Sequence, residues 1–217
     1  MIDFEAARRK MVENQIRTTD VTAHSVLQAF LSVPREMFVP EKAKVLAYTD
    51  AAIELPSGRF VMEASPLAKL LQLAGIGKSD SVLEIGAGTG YVSALLSALA
   101  GSVVALEADE ALQAQAATNL SALGCENVTV VKGELEAGCE AHAPYDLIFF
   151  NGSVEEVPSA LIDQLRDGGR LVVVVGYGNA AQAQLIVCEQ GLVSQSSHFN
   201  TSVKPLPGFR KAKEFVF

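Results

Sequence analysis

Two regimes of patterning divide the chain. From Asp80 onward, short runs that are apolar at nearly every position alternate with stretches where apolar residues recur every three or four places. The runs at 81–85, 102–107, 128–132, 147–150 and 170–176 have the length of strands, and their continuity predicts burial on both faces. Helical segments of about 10 to 15 residues fall between most of them, the pattern of βαβ units and a mostly parallel sheet. Two further short strands are expected near 184–188 and 213–217. Before residue 80 the period is helical. Phe4, Ala7, Met11 and Ile16 mark one amphipathic helix, and a second spans about 21–33 with Asp20 or Thr22 as its N-cap. Pro34 and Pro40 then break the helical period. Residues 47–63 hold Pro56 and Gly58, keep no sustained period and read as a loop. Ser65-Pro66 then predicts a helix start, serine as N-cap and proline at the first position, continuing to Gly77. The expected architecture is an α/β domain over 78–217 preceded by a helical extension and loop over 1–77.

The strongest candidate chemistry sits where the first long strand ends. Gly86, Gly88 and Gly90 follow SVLEI and precede YVSALLSAL. Glycines there let the chain turn sharply and let a ligand lie against bare backbone, while the helix start beyond offers free N–H groups. A dinucleotide fingerprint needs its third glycine one residue later, where Tyr91 stands, and no Gly-Lys-Ser/Thr follows as a P-loop would require. Two acids narrow the ligand. Glu84 lies inside an apolar strand, where a carboxylate needs a partner. Glu107 closes the second strand, 21 residues beyond Gly86, where an acid grips ribose hydroxyls in nucleotide-binding sheets. S-adenosylmethionine carries an ammonium and a sulfonium but no phosphate, so this loop with two acids points to that cofactor. The candidate cofactor-binding set is Glu84, Gly86, Ala87, Gly88, Gly90, Tyr91, Glu107, Ala108, Gly133, Glu134, Leu135 and Asn151. Of these, Gly133, Glu134 and Leu135 are expected beside the adenine, and Asn151 with Gly152 at the methyl-transfer position. Asp167-Gly168-Gly169 reads as a plain turn before RLVVVVG.

Composition removes other classes. The 217 residues suit one α/β domain with a modest extension. With 25 acids against 17 bases, and a net charge of −8, no basic face marks the chain for nucleic acid. The one local basic run, 204–213, lies beside a proline-rich tail. The apolar runs fall short of the roughly 20 residues a membrane helix needs. The opening MIDFEAARRK has early acids and lacks the apolar core of a signal peptide. Three cysteines (Cys125, Cys139, Cys188) and three histidines (His24, His142, His198) are scattered without metal or redox spacing. A cytoplasmic protein is expected, without metal, membrane or nucleic-acid partner, as a monomer or weak dimer.

VLQAFLSVPREMFVP (residues 26–40), AYTD (47–50), VLEIGAGTGY, LGCENVTVVKGE, PYDLIFFNGS and QLRDGGRLVVVVG occur in the order found in protein-L-isoaspartate O-methyltransferases. The chain resembles that family over nearly its whole length, and VPREMFVP ahead of the glycine loop is the most specific part. The resemblance implies a Rossmann-like class I S-adenosylmethionine-dependent methyltransferase fold, with a seven-stranded, mostly parallel sheet and an N-terminal helical extension. It implies methyl transfer to the free α-carboxylate of L-isoaspartyl residues in aged proteins. Carried to matching positions, Glu84, Gly86, Gly88, Glu107, Gly133 and Glu134 hold the cofactor.

The substrate loop departs from the pattern. The family reads LPIG-x-GQTIS-x-P there, and Arg59, Phe60, Val61 and Met62 are the candidate substrate-binding residues. Reading 53–64 without gaps sets Met62 at the place of the family's catalytic serine, and a thioether cannot donate a hydrogen bond. The family's Asp-Gly after the third strand becomes Glu134-Leu135. Three functions are compatible with these departures. The first is an isoaspartyl repair enzyme in which Ser57, Ser65 or Arg59 replaces the missing donor. The second is a relative that methylates another acceptor, and the third a module that binds S-adenosylmethionine without catalysis.

Overall fold

The computed structural model describes residues 2–209. A seven-stranded sheet in the order β5-β4-β3-β6-β7-β8-β9 forms its centre. The strands are β3 (Ser81–Ile85), β4 (Ser102–Glu107), β5 (Val128–Lys132), β6 (Tyr145–Val154), β7 (Leu165–Val175), β8 (Gln182–Glu189) and β9 (Leu192–Asn200). The pairs from β5 through β7 are parallel and the last two antiparallel. Period-two alternation sorts their side chains into two cores. Val82, Val103, Leu147, Phe149 and Val172 face one side. Leu83, Ile85, Leu106, Ile148, Phe150 and Leu171 face the other. Helices α3 (Ala64–Ala74), α4 (Tyr91–Leu99) and α5 (Glu110–Ala122) serve the sheet, with a short α6 (Ser159–Ile162) after β6.

The extension is α1 (Phe4–Met11), prolonged by a π turn to Ile16, and α2 (His24–Ser32). It does not fold apart from the sheet: Met11, Ile16, Phe30 and Phe38 belong to the same buried cluster as Leu95 and Leu96 of α4. Phe30 and Phe38 set their rings 6.4 and 5.5 Å from that of Tyr91, contacts worth about 0.5–1.5 kcal/mol each beyond area burial. Arg35 of the VPREMFVP run is fully buried. Its Nε donates to Ala47 O and its Nη2 to Met62 O, each at 2.7 Å, so it pins both ends of the loop over 47–63.

Several local expectations change. Neither Asp20 nor Thr22 caps α2. The cap is Ala23, and Gln72 Oε1 accepts from the N–H groups of Thr22 and Ala23 at 2.7 and 2.9 Å. Glu63 rather than Ser65 precedes α3, because the Ser65 hydroxyl instead bonds Gln15 O and Asp50. That helix stops at Ala74, with left-handed Gly75 as its cap, short of Gly77. The loop over 47–63 contains a small hairpin, β1 (Ile53–Glu54) against β2 (Phe60–Val61). Asp167-Gly168-Gly169 lies within β7, at a register shift against β6. The strand near 184–188 runs longer and is joined by the unexpected β9; the one placed at 213–217 lies outside the described residues. Among the described residues no helix is long and apolar enough to cross a membrane.

Candidate cofactor and active site

Strand order reverses at β3, with β4 and β5 to one side and β6 to the other. Such a switch point opens a crevice at the carboxyl ends of the strands. Gly86, Gly88 and Gly90 line it in the left-handed region at φ +86°, +58° and +92°, a turn few other residues would take. The register Ile85↔Phe150 sets Asn151 of β6 beside Gly86. A register shift in β6 between Phe149 and Ser153 re-aims Asn151, whose Nδ2 reaches Glu84 Oε1 at 3.2 Å and Gly86 O at 3.0 Å.

Glu84 is fully buried. Burial pushes its carboxyl up to about 7, although hydrogen bonds from Ser93 and Asn151 and the Arg59 charge oppose the rise. Beside it, Asn151 Oδ1 is buried without a hydrogen-bond partner among the described residues. Glu107 is also buried. It accepts from Gly88 N at 2.7 Å, and from Ala108 N and Asp109 N at 2.9 and 3.1 Å. Two buried acids, an orphaned carbonyl oxygen and a bare glycine loop form an acceptor set that fits a ligand with an ammonium, hydroxyls and no phosphate. S-adenosylmethionine has that chemistry.

In this conformation the chain itself fills the place. Arg59 Nη1 donates to both Glu107 oxygens at 2.8 and 2.7 Å, and Nη2 to Gly86 O at 2.7 Å. Both partners are buried, at 3% and 1% exposure, and removing one side of such a pair typically costs about 3–5 kcal/mol. Residues 203–206 lie along β6: Ser153 N donates to Lys204 O, and Leu206 N to Ser153 O. A Cβ on Gly86 would meet Arg59 Nη2 at 2.6 Å and Leu206 Cδ2 at 2.7 Å. The remaining cavity among Arg59, Met62, Asn151, Gly152 and Leu206 holds about 10 Å³. That is room for one water, against the roughly 300 Å³ or more of small-molecule sites.

The expected residues are therefore only partly gathered. Glu84, Gly86, Gly88, Glu107, Asn151 and Arg59 converge, with Phe60 and Met62 bordering the same small cavity. Tyr91 instead turns its ring to the extension, with the Arg35 guanidinium 4.8 Å from its centre. Ala87 is buried, and Gly90 backs onto Ala116 and Leu120 of α5. Val61 and Leu135 are buried among the core residues. Glu134 and Ala108 are exposed, and Gly133 donates its N–H to Glu107 O. The substrate loop also settles into a clearer register. Leu55-Pro56 and Pro66 match the family's pattern, and counting between them sets Ala64 opposite the serine, two residues beyond Met62. Ala64 is the buried first residue of α3, and it too lacks a hydroxyl. Sequence reasoning passed over Leu206 and Lys204, whose contribution depends on a return of the chain that no local pattern marks.

Comparison with known proteins agrees on one family. The profile described as Protein-L-isoaspartate(D-aspartate) O-methyltransferase (PCMT) matches residues 6–208. A protein-L-isoaspartate O-methyltransferase of Koribacter versatilis is 34% identical over 205 residues, covering 94% of this chain and 92% of its own. One from Methanoregula boonei is 40% identical over 183 residues, 84% of this chain and 83% of its own. A solved protein-L-isoaspartate O-methyltransferase superposes with a TM-score of 0.80 at 28% identity, over 93% of this chain and 66% of that one. A Plasmodium falciparum protein crystallised with S-adenosyl-L-homocysteine shares the fold, at a TM-score of 0.78 and 16% identity, over 95% of this chain and 99% of its own.

Proposed function

The chain belongs to the protein-L-isoaspartate O-methyltransferase family, a family of S-adenosylmethionine-dependent enzymes, and on that premise we propose that it methylates the free α-carboxylate of L-isoaspartyl residues in damaged proteins. The observation that carries the reading is the convergence of the glycine loop, Glu107, Glu84 and the unpartnered Asn151 Oδ1 at the sheet's switch point.

S-adenosylmethionine supplies an electrophilic methyl group on a sulfonium. This chain's residues supply position. Glu107 would accept hydrogen bonds from the ligand's hydroxyls. Glu84, in its ionised form, and Asn151 Oδ1 would accept from the ammonium. The acceptor is a carboxylate and already ionised at neutral pH, so its attack needs alignment more than a general base. That accounts for a site built without histidine or cysteine. The acceptor side is cationic at its rim: Lys204 is exposed, with its ammonium 5.3 Å over the Phe60 ring. Neither Met62 nor Ala64 donates a hydrogen bond to the acceptor, so turnover is expected to be slow. We place the protein in the cytoplasm, in keeping with its three unpaired cysteines.

The test is labelled methyl transfer to an L-isoaspartyl peptide and to its L-aspartyl twin. Label in the isoaspartyl peptide alone supports the reading. Equal label in both, or none in either while S-adenosylhomocysteine binds, overturns it.

A further inference from the structure

We propose that Arg59 is an internal competitor for the cofactor site: its guanidinium holds the Glu107 carboxylate and the Gly86 carbonyl in the cofactor-free protein, and cofactor binds by exchange with it. The proposal rests on S-adenosylmethionine being the cofactor, and it adds how the site is kept shut and what opens it.

Three observations carry it. The fork is complete. One guanidinium nitrogen spans both Glu107 oxygens and the other takes Gly86 O, so the two groups most suited to a nucleoside are both used by one side chain. Arg59 also sits directly after the tip of a short hairpin. The β1–β2 hairpin has two residues per strand, and its tip carries Ser57 in the left-handed region at φ +58° beside Gly58 at +68°. Outside the pair itself, the tip is fastened by Ser57 Oγ donating to Asp109 Oδ2 at 2.5 Å and by Leu55, which would lie 3.4 Å from a Cβ on Gly88. Finally, the closed arrangement leaves about 10 Å³, so it excludes the ligand instead of narrowing its path. A hairpin two residues wide is marginal by itself; Ile53, Leu55 and Val61 anchor this one in the core, so the exchange asks the Arg59 side chain and the tip to give way while the base stays packed.

Binding by exchange reduces apparent affinity by the fraction of molecules that are open. If the ion pair keeps roughly 1–10% of molecules open, removing it tightens ligand binding by about 10- to 100-fold. Bound ligand and the Arg59–Glu107 pair are mutually exclusive, so the association rate should level off at high ligand concentration as opening becomes limiting.

The experiment is calorimetric titration of S-adenosylhomocysteine into wild type, Arg59→Ala and Arg59→Lys, with stopped-flow association for wild type. The expected result is binding at least tenfold tighter in Arg59→Ala and an intermediate gain in Arg59→Lys, whose point charge cannot hold both partners. Should Arg59→Ala fail to fold, Arg59→Lys and the wild-type rate plateau decide. Unchanged or weaker binding in the variants, or a rate linear in ligand, overturns the proposal by making Arg59 a bystander or a ligand contact. No binding by any of the three overturns it together with the cofactor assignment. Tight binding without transfer to the isoaspartyl peptide counts only against the proposed acceptor.

Discussion

Replacing Glu84 by glutamine should stabilise the fold at pH 8 while weakening cofactor binding. Glu84 is fully buried, and its carboxyl is raised from 4.5 to about 7 chiefly by loss of solvation. Between these values the folded protein holds a proton that the unfolded chain has released. Stability contributed by this group therefore falls as pH rises from about 4.5, and the penalty is complete above about 7. At 1.36 kcal/mol per pH unit the interval corresponds to about 3 kcal/mol. Glutamine cannot ionise, keeps an oxygen for Asn151 Nδ2 and offers an NH2 to the Ser93 hydroxyl. Relative to wild type, Glu84→Gln should thus gain up to about 3 kcal/mol at pH 8 and little at pH 5. Urea denaturation at both pH values measures this, with an unchanged m-value as the control. A stability difference that is the same at pH 5 and pH 8, or a loss at pH 8, would refute the reasoning that desolvation governs this carboxyl.

Other consequences arise from the same geometry. Ala64→Ser, which restores a hydroxyl at the family's serine position, should raise the rate of methyl transfer to an isoaspartyl peptide. A hydrogen bond to a charged group is worth about 1.5–3 kcal/mol, or one to two decades. Met62→Ser should bring no such gain and should lower the denaturation midpoint, since Met62 is 4% exposed in the core. Gly86→Ala combines a left-handed φ of +86° with contacts of 2.6 and 2.7 Å; thermal unfolding should show a lower Tm, and calorimetry no S-adenosylhomocysteine binding. Arg35→Leu removes the donors to Ala47 O and Met62 O and should destabilise by roughly 1–3 kcal/mol per orphaned carbonyl, read by urea denaturation.

Much of the fold could be read because its informative residues are local. A buried parallel strand has to be apolar throughout, as VLEI and LVVVV nearly are, and a glycine triplet at a strand end has few alternative uses. Glu84 and Glu107 stood out because acids in such strands need partners. The features that stayed hidden depend on distance along the chain. Arg59 meets Glu107 across 48 residues, and two strands of two residues leave no periodic trace, so 47–63 looked structureless. Ser65 had the composition of a cap, but Gln15 and Asp50 bind its hydroxyl from outside the helix. Strand β9 is a polar, largely exposed edge, without the alternation that reveals a half-buried strand. Tyr91 adjoins the glycine loop in sequence, yet aromatic packing and Arg35 turn it toward the extension.

The most direct test of cofactor binding by exchange with Arg59 is a crystal structure of the chain grown with S-adenosylhomocysteine. Ligand hydroxyls are expected on Glu107, the ligand ammonium at Asn151 Oδ1, and Arg59 swung away from both Glu107 and Gly86 O. Ligand bound elsewhere with the Arg59–Glu107 pair intact would contradict both the site and the exchange.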